Sequence, residues 1–352
     1  MSWQNTNTSK KVISITKPLE QEQELLDSIP ENAIVTAHTR TTKTAKITYV
    51  LDKKEDINNA IASIRTNTKP IKLERVPLKV DDSEGEVLAI ANIADFHLNR
   101  FVDGSVTNGV DYDLETAKNV FMCIVDKMVK NMKARKVTRI ILNLAGDFLN
   151  SDTKNATTTA GTPQDDDVTW QHAFITATGL LEYACKEFSK IAPVEYYYVR
   201  GNHDEQTGFY LTAWLDARFS SLDSVNIDIS PKPRHVITYG TNIIILTHGD
   251  KESARVGNLP FVEQNARVKV SDATNIEVIM GHLHSTFAAT IGNGVKLYRL
   301  PSACPVNDRW SYDKSFFSHP GASVTYYDDC DRIAEDYINT KRIMESIIDS
   351  QN

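Results

Sequence analysis

Five short segments carry nearly all of the side chains in this sequence that are equipped for chemistry: Asp95-Phe96-His97, Gly146-Asp147-Phe148-Leu149-Asn150, Gly201-Asn202-His203-Asp204, His248-Gly249-Asp250 and Gly281-His282-Leu283-His284. Between them they offer enough carboxylate, amide oxygen and imidazole to hold two metal ions. Hard oxygens mixed with imidazoles around a metal pair describe a site for phosphate-ester chemistry.

Each segment makes a modest contribution alone. Asp147 follows the apolar run Ile140-Ile141-Leu142-Asn143-Leu144-Ala145-Gly146, which reads as a buried strand ending in glycine. A strand end fixes a carboxylate, and glycine lets backbone approach an ion, so Asp147 suits a bridging role. Asp95 and His97 are two residues apart, which in an extended segment puts an oxygen and an imidazole on the same side, and His282 with His284 repeats that spacing. His248 brings a further imidazole, and Asn202 an oxygen without charge. His203 differs: with Asp204 beside it to orient its ring, it suits proton transfer better than ligation. Asp204 and Asn150 are expected to orient the ligands themselves.

The elements that must position these groups alternate along the chain. Strand-like runs are expected at Val87 to Ile93, Val137 to Leu144, Val194 to Val199, His235 to Tyr239, Asn242 to Thr247 and Val278 to Met280. Helical spacing marks Leu114 to Arg135 and Trp170 to Lys190. An α/β domain with helices outside buried sheets follows. The polar stretch Ser151 to Val168 has little to bury and directly follows a motif, so it is expected to overhang the site as a lid or substrate loop. A small mixed accessory region occupies residues 1–80, with a helix near Pro18 to Ser28, a strand near Ala45 to Leu51 and a helix near Glu55 to Arg65. The catalytic domain spans residues 81–328. A helical tail is expected at residues 329–352, amphipathic over Asp331 to Asp349.

Taken in order, the motifs DxH, GDxxN, GNHD, HGD and GHLH closely resemble those of the calcineurin-like metallophosphoesterases, with 52, 55, 46 and 34 residues between Asp95, Asp147, Asn202, His248 and His282. The resemblance implies a four-layer α-β-β-α sandwich. It also implies that Asp95, His97 and His284 bind one ion, that Asn202, His248 and His282 bind the other, and that Asp147 bridges them. Manganese is the expected activating ion, with iron, zinc or magnesium as alternatives. Hydroxide held by the ions would attack phosphorus in line, and His203 would protonate the leaving oxygen as general acid.

Departures from subfamilies narrow the substrate. The protein serine/threonine phosphatases of that superfamily carry an arginine shortly after the bridging aspartate and a glutamate after GNH. This chain has Phe148 to Asp152 and Asp204 in those places. It is more similar to the phosphodiesterase branches, which include DNA repair exonucleases and cyclic-nucleotide phosphodiesterases. A nuclease is the leading expectation, with a phosphodiesterase or phosphatase of a small nucleotide, or a non-catalytic binding scaffold, as alternatives. Arg309 in Leu300 to Trp310 is a candidate phosphate contact near the pocket.

Composition sets outer bounds. The chain has 352 residues, 41% of them hydrophobic, and a net charge of −7, yet residues 36–79 carry ten Lys/Arg against four acids. That local +6 is a candidate contact for a nucleic-acid backbone. No run approaches the roughly 18 apolar residues of a membrane span, and the polar start lacks the apolar core of a signal peptide, so a cytoplasmic protein is expected. Cys123, Cys185, Cys304 and Cys330 are far apart and lack CxxC pairing, which predicts buried thiols and no disulfide framework or thiolate zinc site.

Overall fold

The apolar runs are continuous because both of their faces are covered. A computed structural model describes residues 12–18, 33–40, 44–51, 85–107, 109–252, 256–267 and 269–351. Two compact units, residues 1–63 and 64–352, divide the chain.

In the first unit, β1 (Val12–Pro18), β2 (Ala33–Arg40) and β3 (Thr44–Leu51) form an antiparallel sheet in the order β1-β3-β2. The strand expected at Ala45 to Leu51 is β3. The helices expected near Pro18 to Ser28 and Glu55 to Arg65, the boundary expected near residue 80 and most of the basic segment lie outside the described residues.

The second unit is built on two mixed sheets. The larger joins β4 (Val87–Asn92), β5 (Val137–Asn143), β6 (Val194–Tyr197), β7 (Val225–Asp228), β13 (Gly321–Tyr327) and β14 (Arg332–Asn339) in the order β14-β13-β4-β5-β6-β7. Strands β4 to β7 are parallel. The smaller joins β8 (Arg234–Tyr239), β9 (Asn242–Thr247), β10 (Asn275–Met280), β11 (Phe287–Thr290) and β12 (Lys296–Arg299) in the order β11-β12-β10-β9-β8.

The two-residue period of a strand sorts side chains into layers. Leu88, Ile90 and Ile141 of the larger sheet meet Ile244, Leu246 and Ile279 of the smaller one in a shared core. At roughly 1.5–3 kcal/mol for each fully buried aliphatic side chain, this layer holds the sheets face to face. The alternate residues Ala89, Ala91, Ile140 and Leu142 turn outward to α1 (Leu114–Met132), α2 (Trp170–Ser189) and α3 (Glu205–Phe219). Asp113 caps α1 by accepting from Thr116 N at 2.8 Å, and Val120, Phe121, Ile124 and Met128 form its buried stripe.

The outward residues of the smaller sheet, Ile243, Ile245, Val278 and Met280, pack under Val256, Leu259 and Ala266. Short turns, not long helices, therefore supply the layer on that side. The order helix, sheet, sheet, helical turns agrees with the expected α/β sandwich.

Two expectations change, and one helix was not anticipated. The helix expected over Asp331 to Asp349 begins only at Thr340, where α4 (Thr340–Gln351) starts. The preceding residues pair antiparallel with β13, and their alternating exposure in Arg-Ile-Ala-Glu-Asp-Tyr-Ile is a strand signature. Helix α3 carries little amphipathic signal because Leu211, Thr212, Ala213, Leu215, Asp216 and Ala217 are buried around much of its circumference. All four cysteines are free, but only Cys185 and Cys304 are buried; Cys123 is half-buried and Cys330 exposed. Among the described residues, no helix is long and apolar enough to cross a membrane.

Candidate metal centre

The five motifs follow the C-terminal ends of β4, β5, β6, β9 and β10, so the two sheets deliver them to one edge. Open α/β sheets bind ligands at that edge. Hydrogen bonds continue beyond the strands and tie the segments together: His97 N donates to Asp147 O at 3.0 Å, and Gly281 N to His248 O at 2.9 Å.

The local backbone is not extended. Asp95, His97, Asp147, His282 and His284 all have positive φ, between 49° and 70°. The expectation that Asp95–His97 and His282–His284 share a side through extended geometry is thus corrected, because alternating left-handed bends aim them instead. Such conformations cost of order 1–3 kcal/mol each, and their concentration here marks a site that its surroundings over-determine.

Glycines make room for the carboxylates. A Cβ on Gly201 would lie 2.0 Å from Asp147 Oδ1, and one on Gly281 would lie 2.4 Å from Asp95 Oδ2. The freed backbone then binds: His203 N donates to Asp147 Oδ1 at 2.7 Å, and His282 N donates to Asp95 at 2.9 and 3.0 Å.

Donor atoms converge in two overlapping groups. On one side, Asp95, His97 and His284 offer ligand atoms within mutual reach, with His97 Nε2 and His284 Nε2 facing each other at 3.1 Å. On the other, Asp147, His248 and His282 do so, and His248 Nε2 stands 3.2 Å from Asp147 Oδ2 and 3.0 Å from Asn202 Oδ1. Asp147 also groups with His97 and His203. All seven sequence-assigned ligands thus gather at one place, with Asp147 between the two groups.

Charge explains why a cation fits. His248 Nδ1 donates to Ala145 O at 2.7 Å, so a neutral ring would present a lone pair at Nε2 toward two further oxygens. Burial opposes a charge on His248, but the Asp147 carboxylate lifts it to about 10, and a proton at Nε2 then faces the Asp147 and Asn202 oxygens while Nδ1 serves Ala145 O. A divalent cation would meet the same need with greater charge. Burial acts upward on Asp147 too, yet His248 and His203 hold it far below the carboxylate range. Burial, against the pull of His248, pushes Asp95 up to about 8. Burial and the Arg100 charge push His284 down to about 3, and the same two causes hold His97 well below the usual imidazole value. These two rings are neutral at pH 7 and free to ligate. Oxygen and imidazole donors around buried carboxylates suit manganese, iron or zinc.

Asp204 does not hold His203 as expected. Its carboxylate accepts from Asp147 N at 3.1 Å, Phe148 N at 2.7 Å and Leu149 N at 3.1 Å, so it clamps the loop that carries Asp147. Burial and the Asp147 charge raise it to about 7. The ring of His203 is held instead by Nδ1 donating to Asn150 O at 2.8 Å. Asn150 therefore supports through its main chain, while its side chain donates to Asp165 O and Asp166 Oδ1.

The centre floors a cavity of about 600 Å³. Its wall includes Thr158, Ala160, Thr162, Pro163, Gln164 and Asp165, so the stretch 151–168 overhangs the site as expected. It is pinned at several points. Asp152 accepts from Gln206 N, Thr207 N and Thr159 Oγ1, and Asn99 exchanges two 3.0 Å hydrogen bonds with Val168. Arg309 is corrected: it is 68% exposed and pairs with Asp313 at 3.9 Å, outside the cavity wall. The arginine of the cavity is Arg100, 4% exposed, paired with Asp308 at 3.5 Å and donating from Nε to Asn150 Oδ1 at 3.3 Å. Its place three residues beyond His97, after an Asp-x-His segment, was the available sequence signal. Asp308, Ser311 and Phe316 had none.

No family model and no curated protein matches the sequence. Solved structures that are similar include a dimetal phosphatase from Danio rerio (9% identity, TM-score 0.34, covering 72% of this chain and 99% of that one). Vps29 from Chaetomium thermophilum is similar at 11% identity and TM-score 0.30, covering 71% and 95%. A 5'-nucleotidase from Candida albicans SC5314 is similar at 9% identity and TM-score 0.35, covering 80% and 59%. Overlaps this distant do not carry an activity across.

Proposed function

We propose that the chain is a dinuclear-metal phosphoesterase of the calcineurin-like kind that hydrolyses phosphodiester bonds. The observation that carries this reading is the convergence of two donor groups on either side of Asp147, at the floor of a cavity large enough for an organic phosphate. Asp95, His97 and His284 would hold one ion, and Asn202, His248 and His282 the other, with Asp147 shared. When bound, the metal pair supplies Lewis-acid polarisation of the phosphoryl oxygens and an activated water nucleophile.

The protein's own groups do the rest. His203 lines the cavity, and with Nδ1 donating to Asn150 O, its Nε2 is the nitrogen that holds a proton for the leaving oxygen. Asp204 and the backbone N–H groups of His203 and His282 keep the two carboxylates in position. Arg100 places a fixed cation beside His97 and His284, which favours an anionic substrate at that edge.

Departure from the protein-phosphatase pattern after Asp147 and at Asp204 supports a diester. Nucleic acid is the leading substrate on the strength of the basic segment, and a small nucleotide ester is the alternative. Purified protein with Mn²⁺ is assayed on single- and double-stranded DNA, RNA, cyclic nucleotides, and an aryl diester beside an aryl monoester. Cleavage of the diester and of a nucleic acid, lost with chelator and restored by Mn²⁺, is expected. Hydrolysis of the monoester alone removes the diester reading, and metal binding without hydrolysis of any ester leaves a binding scaffold. His203→Ala is expected to retain metal and lose roughly 10²–10⁴ in rate on alkoxide leaving groups.

A further inference from the structure

The phosphate chemistry uses only the floor of the cavity. Two large apolar side chains stand exposed on its walls, Phe316 at 38% and Leu283 at 46%. A cavity of about 600 Å³ exceeds what a bare phosphate occupies and lies in the range of small organic ligands. Its occupant therefore has an anionic end, for the metal floor and Arg100, and an apolar face for the ring. The wall also carries the Asp165 carboxylate, which disfavours a second phosphate group there.

The turn that presents the ring is built into the site. Asp308 Oδ1 accepts from Ser311 N at 2.8 Å, and Phe316 N donates to Ser311 O at 2.8 Å across a left-handed bend at Ser315, φ 53°. The same Asp308 pairs with Arg100, which reaches Asn150, whose carbonyl holds His203. A continuous set of polar contacts thus ties the position of the aromatic ring to that of the proton donor.

We propose that this wall is a nucleoside subsite, in which one unstacked base of a nucleotide diester packs on Phe316, with Leu283 as a second apolar wall, while its phosphate lies on the floor. The proposal rests on the phosphodiester reading and names its substrate class. A planar base has a π-face that any nucleotide presents, so Phe316 selects nucleosides over simple alkyl esters without reading sequence.

The test uses the full chain with Mn²⁺ and two diesters that release the same leaving group, thymidine 5'-(p-nitrophenyl phosphate) and methyl p-nitrophenyl phosphate. Wild type is expected to prefer the thymidine ester. In Phe316→Ala the ratio of kcat/KM between the two is expected to fall roughly tenfold or more, mainly through KM, and Phe316→Tyr is expected to keep it. Calorimetric binding of thymidine 5'-monophosphate against methyl phosphate should show the same loss of preference. A selectivity ratio and a binding preference unchanged in Phe316→Ala, or absent in wild type, overturn the subsite even if both diesters are cleaved. Preferential, Phe316-dependent binding of the nucleotide without hydrolysis of either diester sustains the subsite and overturns the phosphodiester reading instead.

Discussion

At the base of the cavity Asp147 lines the surface and Asp95, His97 and His248 are buried beside it, all four 0–1% exposed, and the carboxylates are seated by backbone that only glycine could bring so close. The wall is made differently. Arg100, Asp308, Ser311 and the stretch 151–168 are placed by side-chain hydrogen bonds between segments distant in sequence, and Phe316 is left partly open to solvent. The floor is rigid because its backbone is strained and boxed in, and buried charge there makes any displacement costly. The wall is joined to His203 through Asp308, Arg100 and Asn150, but none of the seven candidate metal donors takes part in those contacts. Under the proposed function, the floor would set the reaction type and the wall the choice of substrate.

Removing the Asp147 carboxylate should separate them most sharply. Asp147→Ala is expected to lower bound metal measured by elemental analysis and to cost about 10³-fold or more in kcat on any ester, while the purified protein keeps its circular-dichroism spectrum. Full activity in this variant breaks the contrast.

Gly201→Ala tests whether backbone approach matters as much as the ligands themselves. The added methyl carbon would stand 2.0 Å from Asp147 Oδ1, so the carboxylate must shift, and a loss of about 10²-fold is expected in steady-state assays. Wild-type rates would show that the floor yields more easily than its geometry indicates.

A smaller effect is expected from Asp204→Asn, which keeps the shape but weakens the clamp on three N–H groups. Metal affinity, titrated by calorimetry, should fall roughly 10- to 100-fold. A loss of rate on alkoxide leaving groups with no change in metal affinity would instead restore the direct contact between Asp204 and His203 expected from their adjacency.

The smallest effect belongs to the wall. Burial acts upward on the Asp308 carboxyl, but Arg100 and Ser311 hold it below its ordinary value of 3.8. A carboxyl depressed in the folded state adds stability above its unfolded value, and that stability is lost as pH falls toward the folded one. Asp308→Asn should therefore lower stability by about 1–3 kcal/mol at pH 7, with the difference shrinking below roughly pH 4 in urea titrations. A difference that grows on acidification contradicts the ion pair.

Much of the fold of the second unit was legible because buried strands and amphipathic helices write their periods into the chain. The runs at Val87, Val137, Asn242 and Val278 are sheet strands, and Leu114 and Trp170 begin helices. Helix α3 was not legible, since burial around much of its circumference leaves weak periodicity, and neither was β14, whose strand runs straight into a helix. Within the site, motif spacing was informative about which residues meet, but not about how they are aimed.

By itself the sequence determined the donor set, its order and its strand-end placement, because metal chemistry restricts residue type and glycine must stand where backbone meets carboxylate. Tertiary structure alone decided the left-handed turns at the ligands, the transfer of Asp204 from His203 to the Asp147 loop, the choice of Arg100 over Arg309, and the presence of Phe316 in the cavity. Those outcomes depend on contacts between segments far apart in the chain, where hydrogen-bond geometry and burial are set by packing and leave no local pattern to read.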